Sequence, residues 1–64
     1  MNYTETSRDS AAKIVSITVP YAGGNTQEVN VSFQDYQNFP TDEAVITERC
    51  TSAANDVQTN LGAQ

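Results

Sequence analysis

Residues 13–33, KIVSITVPYAGGNTQEVNVSF, constrain the fold more than any other part of the chain. Apolar and polar residues alternate over residues 13–21 and again over residues 28–33, on either side of a Gly-Gly pair. Alternation rich in β-branched residues is typical of a half-buried strand. The segment therefore predicts a β-hairpin with one face on a core and the other facing water or another protein.

The hairpin turn must keep the two apolar faces matched. Pairing Val19 with Val29 makes residues 23–25 the loop, and moving the centre by one residue makes residues 22–24 the loop while keeping the faces matched. A two-residue Gly-Gly loop would turn one strand's apolar set to the wrong face. Three-residue loops with a left-handed glycine are common in hairpins. We assign the turn to Gly23, Gly24 and Asn25.

Residues 41–61 predict one C-terminal amphipathic helix. Pro40 precedes the segment, Thr41 is placed to act as N-cap, and acidic residues follow in the first turn, where the helix dipole favours them. Gly62 is placed to end the helix. The apolar positions form one stripe: Ile46, Cys50, Ala53, Val57 and Leu61. In an alternative that we weighed and set aside, residues 44–50 form a third strand.

Two polar segments flank these elements. Residues 1–11 show no period of a strand or a helix, so we predict a polar N-terminal arm that is flexible alone or ordered only against a partner, with Tyr3 as its one anchor. In the connector 34–40, aromatic residues recur every three positions. They can close one end of the core or anchor a partner, since aromatic residues are enriched in interface cores.

The predicted architecture is a single ββα module over residues 12–64, preceded by the arm 1–11. Its fold class is α+β, a small β-hairpin followed by one C-terminal amphipathic helix. A chain of 64 residues buries little surface, and a two-stranded hairpin is marginal alone. The single cysteine forms no internal disulfide. We therefore expect oligomerisation or a partner chain to complete the fold.

Composition argues against several functions. There is no histidine, and the eight carboxylates are dispersed, so we expect no catalytic residue, no metal site and no cofactor. The net charge is −5 with three cations, which argues against direct nucleic-acid binding. No apolar run approaches the roughly 20 residues of a membrane helix, and the N-terminus lacks the apolar core of a signal peptide. We expect cytoplasmic synthesis; the final location stays open, and a place within a particle is one hypothesis.

The function predicted from these features is that of a non-enzymatic structural or interaction protein, a small subunit of a larger assembly. Its partner is a protein, either a second copy or a larger chain, because open strand edges support strand addition. A minor or cement component of a virus-like particle is one hypothesis for the setting. The alternative is an acidic regulatory binder or inhibitor of a protein with a basic site. The candidate partner contacts are Tyr3, Ile14, Tyr21, Tyr36 and Phe39.

Overall fold

A computed structural model describes residues 2–62 as a three-stranded antiparallel sheet followed by one helix. The strands are β1 (Thr4–Asp9), β2 (Ile14–Tyr21) and β3 (Asn25–Ser32), and the helix is α1 (Glu43–Leu61). The sheet order is β1-β2-β3, so β2 is the central strand. The predicted α+β class, with a hairpin followed by a C-terminal helix, is confirmed.

Strand β1 lies inside the segment that we predicted as a polar arm, so the sheet has three strands where two were expected. Five of its six residues are exposed and Arg8 is half-buried, which explains why no apolar period marks the strand. Backbone pairing with β2 needs no apolar side chain. Met1 of the predicted arm and residues 63 and 64 of the predicted module lie outside the described residues.

The turn between β1 and β2 is built by Asp9, whose carboxylate Oδ1 accepts hydrogen bonds from the backbone N–H groups of Ala11 and Ala12 at 3.0 Å each. Such an Asx turn lets a short side chain replace backbone pairing. Lys13 closes the turn in the left-handed region, with φ of 55°. Strand β1 carries a register irregularity between Glu5 and Ser7, so its pairing with β2 is interrupted once.

The hairpin of β2 and β3 uses the second of the two registers considered above. Val19 pairs with Gln27 rather than with Val29, and the loop is Ala22–Gly24. Gly23 and Gly24 have φ of 77° and 74°, values that favour glycine. Asn25, which we assigned to the turn, is instead the first residue of β3, and its side-chain amide donates to Ala22 O at 2.8 Å.

The core lies between one face of the sheet and α1. Side chains on one face of a strand recur every second residue. Alternate residues of β2 therefore lie on the face that α1 covers, and they are fully buried there. The largest fully buried side chains are Phe33, Ile17, Ile46, Val15, Val19 and Cys50. Pro20 is exposed and lies two residues beyond the last β2 residue that pairs with β1. Its missing N–H therefore leaves no carbonyl group of β1 without a donor.

Helix α1 begins one residue later than predicted. Asp42, not Thr41, is the N-cap: its Oδ1 accepts from Val45 N at 3.3 Å, whereas the Thr41 hydroxyl donates back to Asn38 O at 2.7 Å. Gly62 ends the helix as expected, with its N–H donating to Gln58 O.

The buried side of α1 also differs in part from the predicted stripe. It follows steps of four residues from Ile46 to Cys50 to Ala54. Val57 is therefore only half-buried, and Leu61 is 36% exposed at the margin of the sheet.

Candidate docking edge on strand β3

The two edges of the sheet are not equivalent. The β1 edge is six residues long, contains the register irregularity and carries Glu5, Arg8 and Asp9, all of which discourage further pairing. The β3 edge is eight residues long, pairs with β2 without interruption and carries one charged residue, Glu28. Strand β3 therefore offers the more regular template for an additional strand.

Alternation in an antiparallel ladder identifies the backbone groups on this edge. Phe33 N–H donates to Lys13 O at 2.7 Å, one step beyond the Ile14–Ser32 pair, so odd-numbered residues of β3 bond to β2. Even-numbered residues then direct their N–H and C=O groups outward, among them Thr26, Glu28 and Asn30. This inference agrees with side-chain donors that reach two outward carbonyls, Gln27 to Glu28 O at 3.3 Å and Arg49 to Ser32 O at 3.4 Å.

A groove of about 640 Å³ runs beside this edge, between β3 and the C-terminal half of α1. Its apolar part consists of Val29, Val57 and Leu61, two half-buried side chains and one exposed side chain. The remaining lining residues are polar or acidic: Gln27, Glu28, Asn30, Asp56 and Asn60. The edge and the groove together place backbone groups that have no strand partner beside an apolar surface, and we name them the β3 docking edge.

The charges of the β3 docking edge are acidic. Glu28 and Asp56 border the groove, Glu28 with its side chain on the open face of the sheet, and no lysine or arginine is among the lining residues. The chain's three cations lie elsewhere: Arg8, Lys13 and Arg49. None of the three neutralises either groove acid in the part of the chain that the structure describes.

The cations are held by contacts within the chain. Arg8 bonds to the carboxylates of Glu5 and Glu43 and ties β1 to the start of α1. Arg49 makes a two-point contact with Asp35, at 2.8 and 3.0 Å. Hydrogen bonds from these arginines hold the pKa of the Glu43 and Asp35 carboxyls below their usual range. The Lys13 ammonium donates to Tyr36 O at 3.3 Å.

Two of the predicted partner contacts are buried in the chain's own core. Tyr3 is 8% exposed and Phe39 is 7% exposed. Phe39 stacks on Phe33 with ring centroids 5.0 Å apart, so the connector aromatics close one end of the core, the first of the two interpretations given above. Little of either side chain is left for a partner to contact.

Tyr36 is half-buried and its polar end is also occupied. Its hydroxyl donates to the Asp42 carboxylate, and the Arg49 guanidinium lies 5.6 Å from its ring centroid. The shared hydrogen bond raises the pKa of the Tyr36 hydroxyl and, together with the Val45 N–H, lowers the pKa of Asp42. This contact joins the connector to the N-cap of α1 and leaves part of the ring accessible.

Ile14 and Tyr21 are half-buried at opposite ends of β2. Ile14 lies on the sheet face away from α1, between Asp9 of β1 and Ser32 of β3. Tyr21 pairs with Asn25 beside the loop. Neither residue lines the groove, so the structure does not bring the predicted contacts together into one site.

The groove was not predicted, because Val29, Val57 and Leu61 belong to the apolar faces that were expected to pack together in the core. The sequence feature that could have indicated the groove was the small size of the side chains in the apolar stripe of the helix. The residues of α1 that are buried against the sheet end at Ala54. Beyond it, Val57 and Leu61 are only partly covered and lie beside the β3 edge.

Nucleophilic, metal-binding and membrane-spanning features were also considered. Cys50 is fully buried, and burial raises the pKa of its thiol, which disfavours the thiolate needed for nucleophilic attack. Within residues 2–62, no group of three or more Cys, Asp or Glu side chains is placed to hold a metal ion. No helix in the described range has the length and apolar content required to cross a bilayer.

No protein-family model, curated protein sequence or solved structure matches this chain. The fold and the β3 docking edge are therefore the grounds on which a function is proposed.

Proposed function

We propose that this chain is a non-enzymatic interaction protein, a small subunit of a larger assembly, that accepts a strand of another protein on the β3 docking edge. The observation that carries the proposal is the uninterrupted β3 ladder beside an apolar groove. Strand addition uses such a pair of features, because backbone hydrogen bonds supply affinity and side-chain pockets supply specificity.

The energetic terms support a specific but modest interaction. Each backbone hydrogen bond contributes a net of about 0.5–1.5 kcal/mol. Burying one apolar side chain over Val29 and Val57 adds about 1.5–3 kcal/mol. Loss of translational and rotational freedom offsets several kcal/mol of this total. A short strand that forms four or five such hydrogen bonds would then bind reversibly, as suits a subunit that joins an assembly.

The acidic regulatory binder stays as the second candidate function. Glu28 and Asp56 at the groove favour it, since an acidic rim attracts a basic site on another protein. A role as a minor or cement component of a virus-like particle is a hypothesis about the setting, based on size and composition alone. A regulatory binder and a particle component would both use the β3 docking edge.

The test is selection of peptide ligands followed by mapping of the binding surface. A displayed library of random peptides of about 12 residues, long enough to pair with β3, is selected on the immobilised chain. Binding of the enriched peptides is then mapped by ¹⁵N amide chemical shifts. We expect the largest shifts at Thr26, Glu28 and Asn30.

The decisive variant is Asn30→Pro, with Asn30→Ala as its matched control. Proline removes the outward N–H of residue 30 and places a ring on the free edge, where β2 makes no hydrogen bond. Both variants lose the Ser16–Asn30 side-chain contact of 2.9 Å, so only the proline changes the edge. We expect at least tenfold weaker binding to Asn30→Pro and wild-type affinity for Asn30→Ala. Enriched peptides that bind Asn30→Pro as well as wild type, or no enrichment at all, would contradict the proposal.

A further inference from the structure

We propose that the strand accepted by β3 alternates apolar side chains with lysine or arginine, the alternating cations facing Glu28 and a cation at the end of the strand reaching Asp56. This inference rests on the proposed function and specifies the chemistry of the partner. The occupant is an extended, basic segment of another protein.

The faces of β3 determine the alternation. Val29 and Val31 point toward α1, whereas Glu28 pairs with Thr18 and lies on the opposite, open face of the sheet. Side chains of an added strand alternate in the same way, with one set over the helix and the other on the open face. Residues of the first set reach Val29, Val57 and Leu61 and are best apolar.

Residues of the second set lie beside Glu28. A cross-strand neighbour on the same face is about 4.5–5.5 Å away between Cβ atoms, within reach of a lysine or arginine. Asp56 belongs to α1 and lines the opposite wall of the groove, where a long cationic side chain at the end of the inserted segment can reach it. Each acid thus has a defined position relative to the added strand.

The charge distribution favours a basic partner over a second copy. A two-fold pairing of β3 with β3 of another copy would bring two Glu28 carboxylates onto one shared face and two Asp56 carboxylates to one interface. Like charges on neighbouring strands are destabilising, and each copy carries a net charge of −5. The three cations that could have relieved this repulsion are held at Glu5, Glu43, Asp35 and Tyr36.

The experiment compares three synthetic peptides of one length. All carry valine at alternate positions, and the intervening positions are all lysine, all glutamine or all glutamate. Dissociation constants are measured by fluorescence anisotropy at about 50 mM and about 500 mM salt, because exposed ion pairs are screened at the higher concentration. Light scattering of the protein alone, over a concentration series, gives its mass in solution.

We expect the lysine peptide to bind most tightly and the glutamate peptide least tightly at low salt, with the three affinities converging at high salt. Two exposed ion pairs correspond to about a 2-fold to 30-fold advantage of lysine over glutamine. The double variant Glu28→Gln with Asp56→Asn should remove that advantage. Glu48→Gln is the matched control: this exposed acid of α1 does not line the groove, so lysine keeps its advantage.

The outcomes separate this inference from the proposed function. If lysine and glutamine peptides bind equally and both are weakened by Asn30→Pro, the basic partner is refuted while strand addition stands. If no peptide shows binding that depends on residue 30, strand addition itself fails. A stable dimer in light scattering that Asn30→Pro dissociates would identify a second copy as the occupant and overturn the basic partner.

Discussion

Replacing Tyr3 by alanine tests what holds β1 in the sheet. None of the six β1 residues is buried, and ordering six residues costs about 1–2 kcal/mol each, which the net free energy of their backbone hydrogen bonds only offsets. Tyr3, immediately before the strand, is 8% exposed in the core. We infer that burial of this ring supplies most of the free energy that keeps β1 paired.

The expected loss is about 3 kcal/mol, the lower end of the range for truncation of a large buried aromatic side chain. A domain of 64 residues has a total stability of about 3–10 kcal/mol at the usual value per residue. A loss of this size is roughly a 150-fold change in an equilibrium constant. It is large enough to leave β1 detached in much of the population while the hairpin of β2 and β3 stays packed on α1.

Amide hydrogen exchange measured by NMR distinguishes the two sides of β2, one paired with β1 and the other with β3. By the alternation of the ladder, the N–H groups of Ser16 and Thr18 face β1, and those of Val15 and Ile17 face β3. In Tyr3→Ala we expect the first pair to lose nearly all protection and the second pair to keep the protection of the remaining fold. Tyr3→Phe is the matched control.

Tyr3→Phe removes a hydroxyl for which the described part of the chain offers no hydrogen-bond partner, so protection should stay close to wild type. Two results would refute the reasoning. If Ser16 and Thr18 stay protected in Tyr3→Ala, the ladder and the Arg8–Glu43 contact hold β1 without the Tyr3 ring. If all four amides lose protection together, β1 and the hairpin form one cooperative unit.

Three further predictions concern the turn, the core and pH. Gly23→Ala should lower the free energy of unfolding by about 1–2 kcal/mol, because φ is 77° there, and a urea titration with an unchanged midpoint would contradict it. Phe33→Ala should cost about 3–5 kcal/mol and Phe33→Leu clearly less, measured in the same titration; equal losses would show that volume does not matter at this fully buried site. The pKa of Asp42 is lowered by Tyr36 and the Val45 N–H, so its stabilisation is present above the unfolded pKa of about 3.9 and is lost as pH falls through the lower folded value. The Tm of wild type should therefore fall more steeply than that of Asp42→Asn below about pH 4, and parallel Tm curves would show that this carboxylate does not matter.

Periodicity predicted the elements whose side chains face the core. The hairpin and α1 were recognised because one face of each is apolar, at period 2 and period 3.6. Strand β1 could not be recognised in this way, since its contribution is backbone pairing and its one apolar anchor, Tyr3, lies before it. The N-cap was misassigned by one residue because Thr41 and Asp42 are both good caps. The connector distinguishes them, because the Thr41 hydroxyl donates to Asn38 O and the Tyr36 hydroxyl donates to the Asp42 carboxylate.

An open strand edge was predicted as the docking surface, but its position in the sheet was not. The sequence indicated that strand edges would be open, but it did not indicate which edge. That depends on β1, which occupies one side of β2 and leaves β3 at the margin. The groove depends on which residues of α1 pack on the sheet: Cys50 and Ala54 are fully buried, whereas Val57 and Leu61 are left partly exposed beside β3.

The presence of β1 changes the physical reason for expecting a partner. A bare hairpin under one helix would need another chain to complete its fold. With β1 paired, β2 is a central strand whose buried residues are covered by α1 and flanked on both sides. A partner is then expected because of the surface that is left, the regular β3 edge and the acidic groove, and not because the chain is unstable. Folding and binding become separable, because Tyr3 acts on the first and residue 30 acts on the second. Asn30→Pro should therefore abolish strand addition in a protein whose thermal unfolding is close to that of Asn30→Ala.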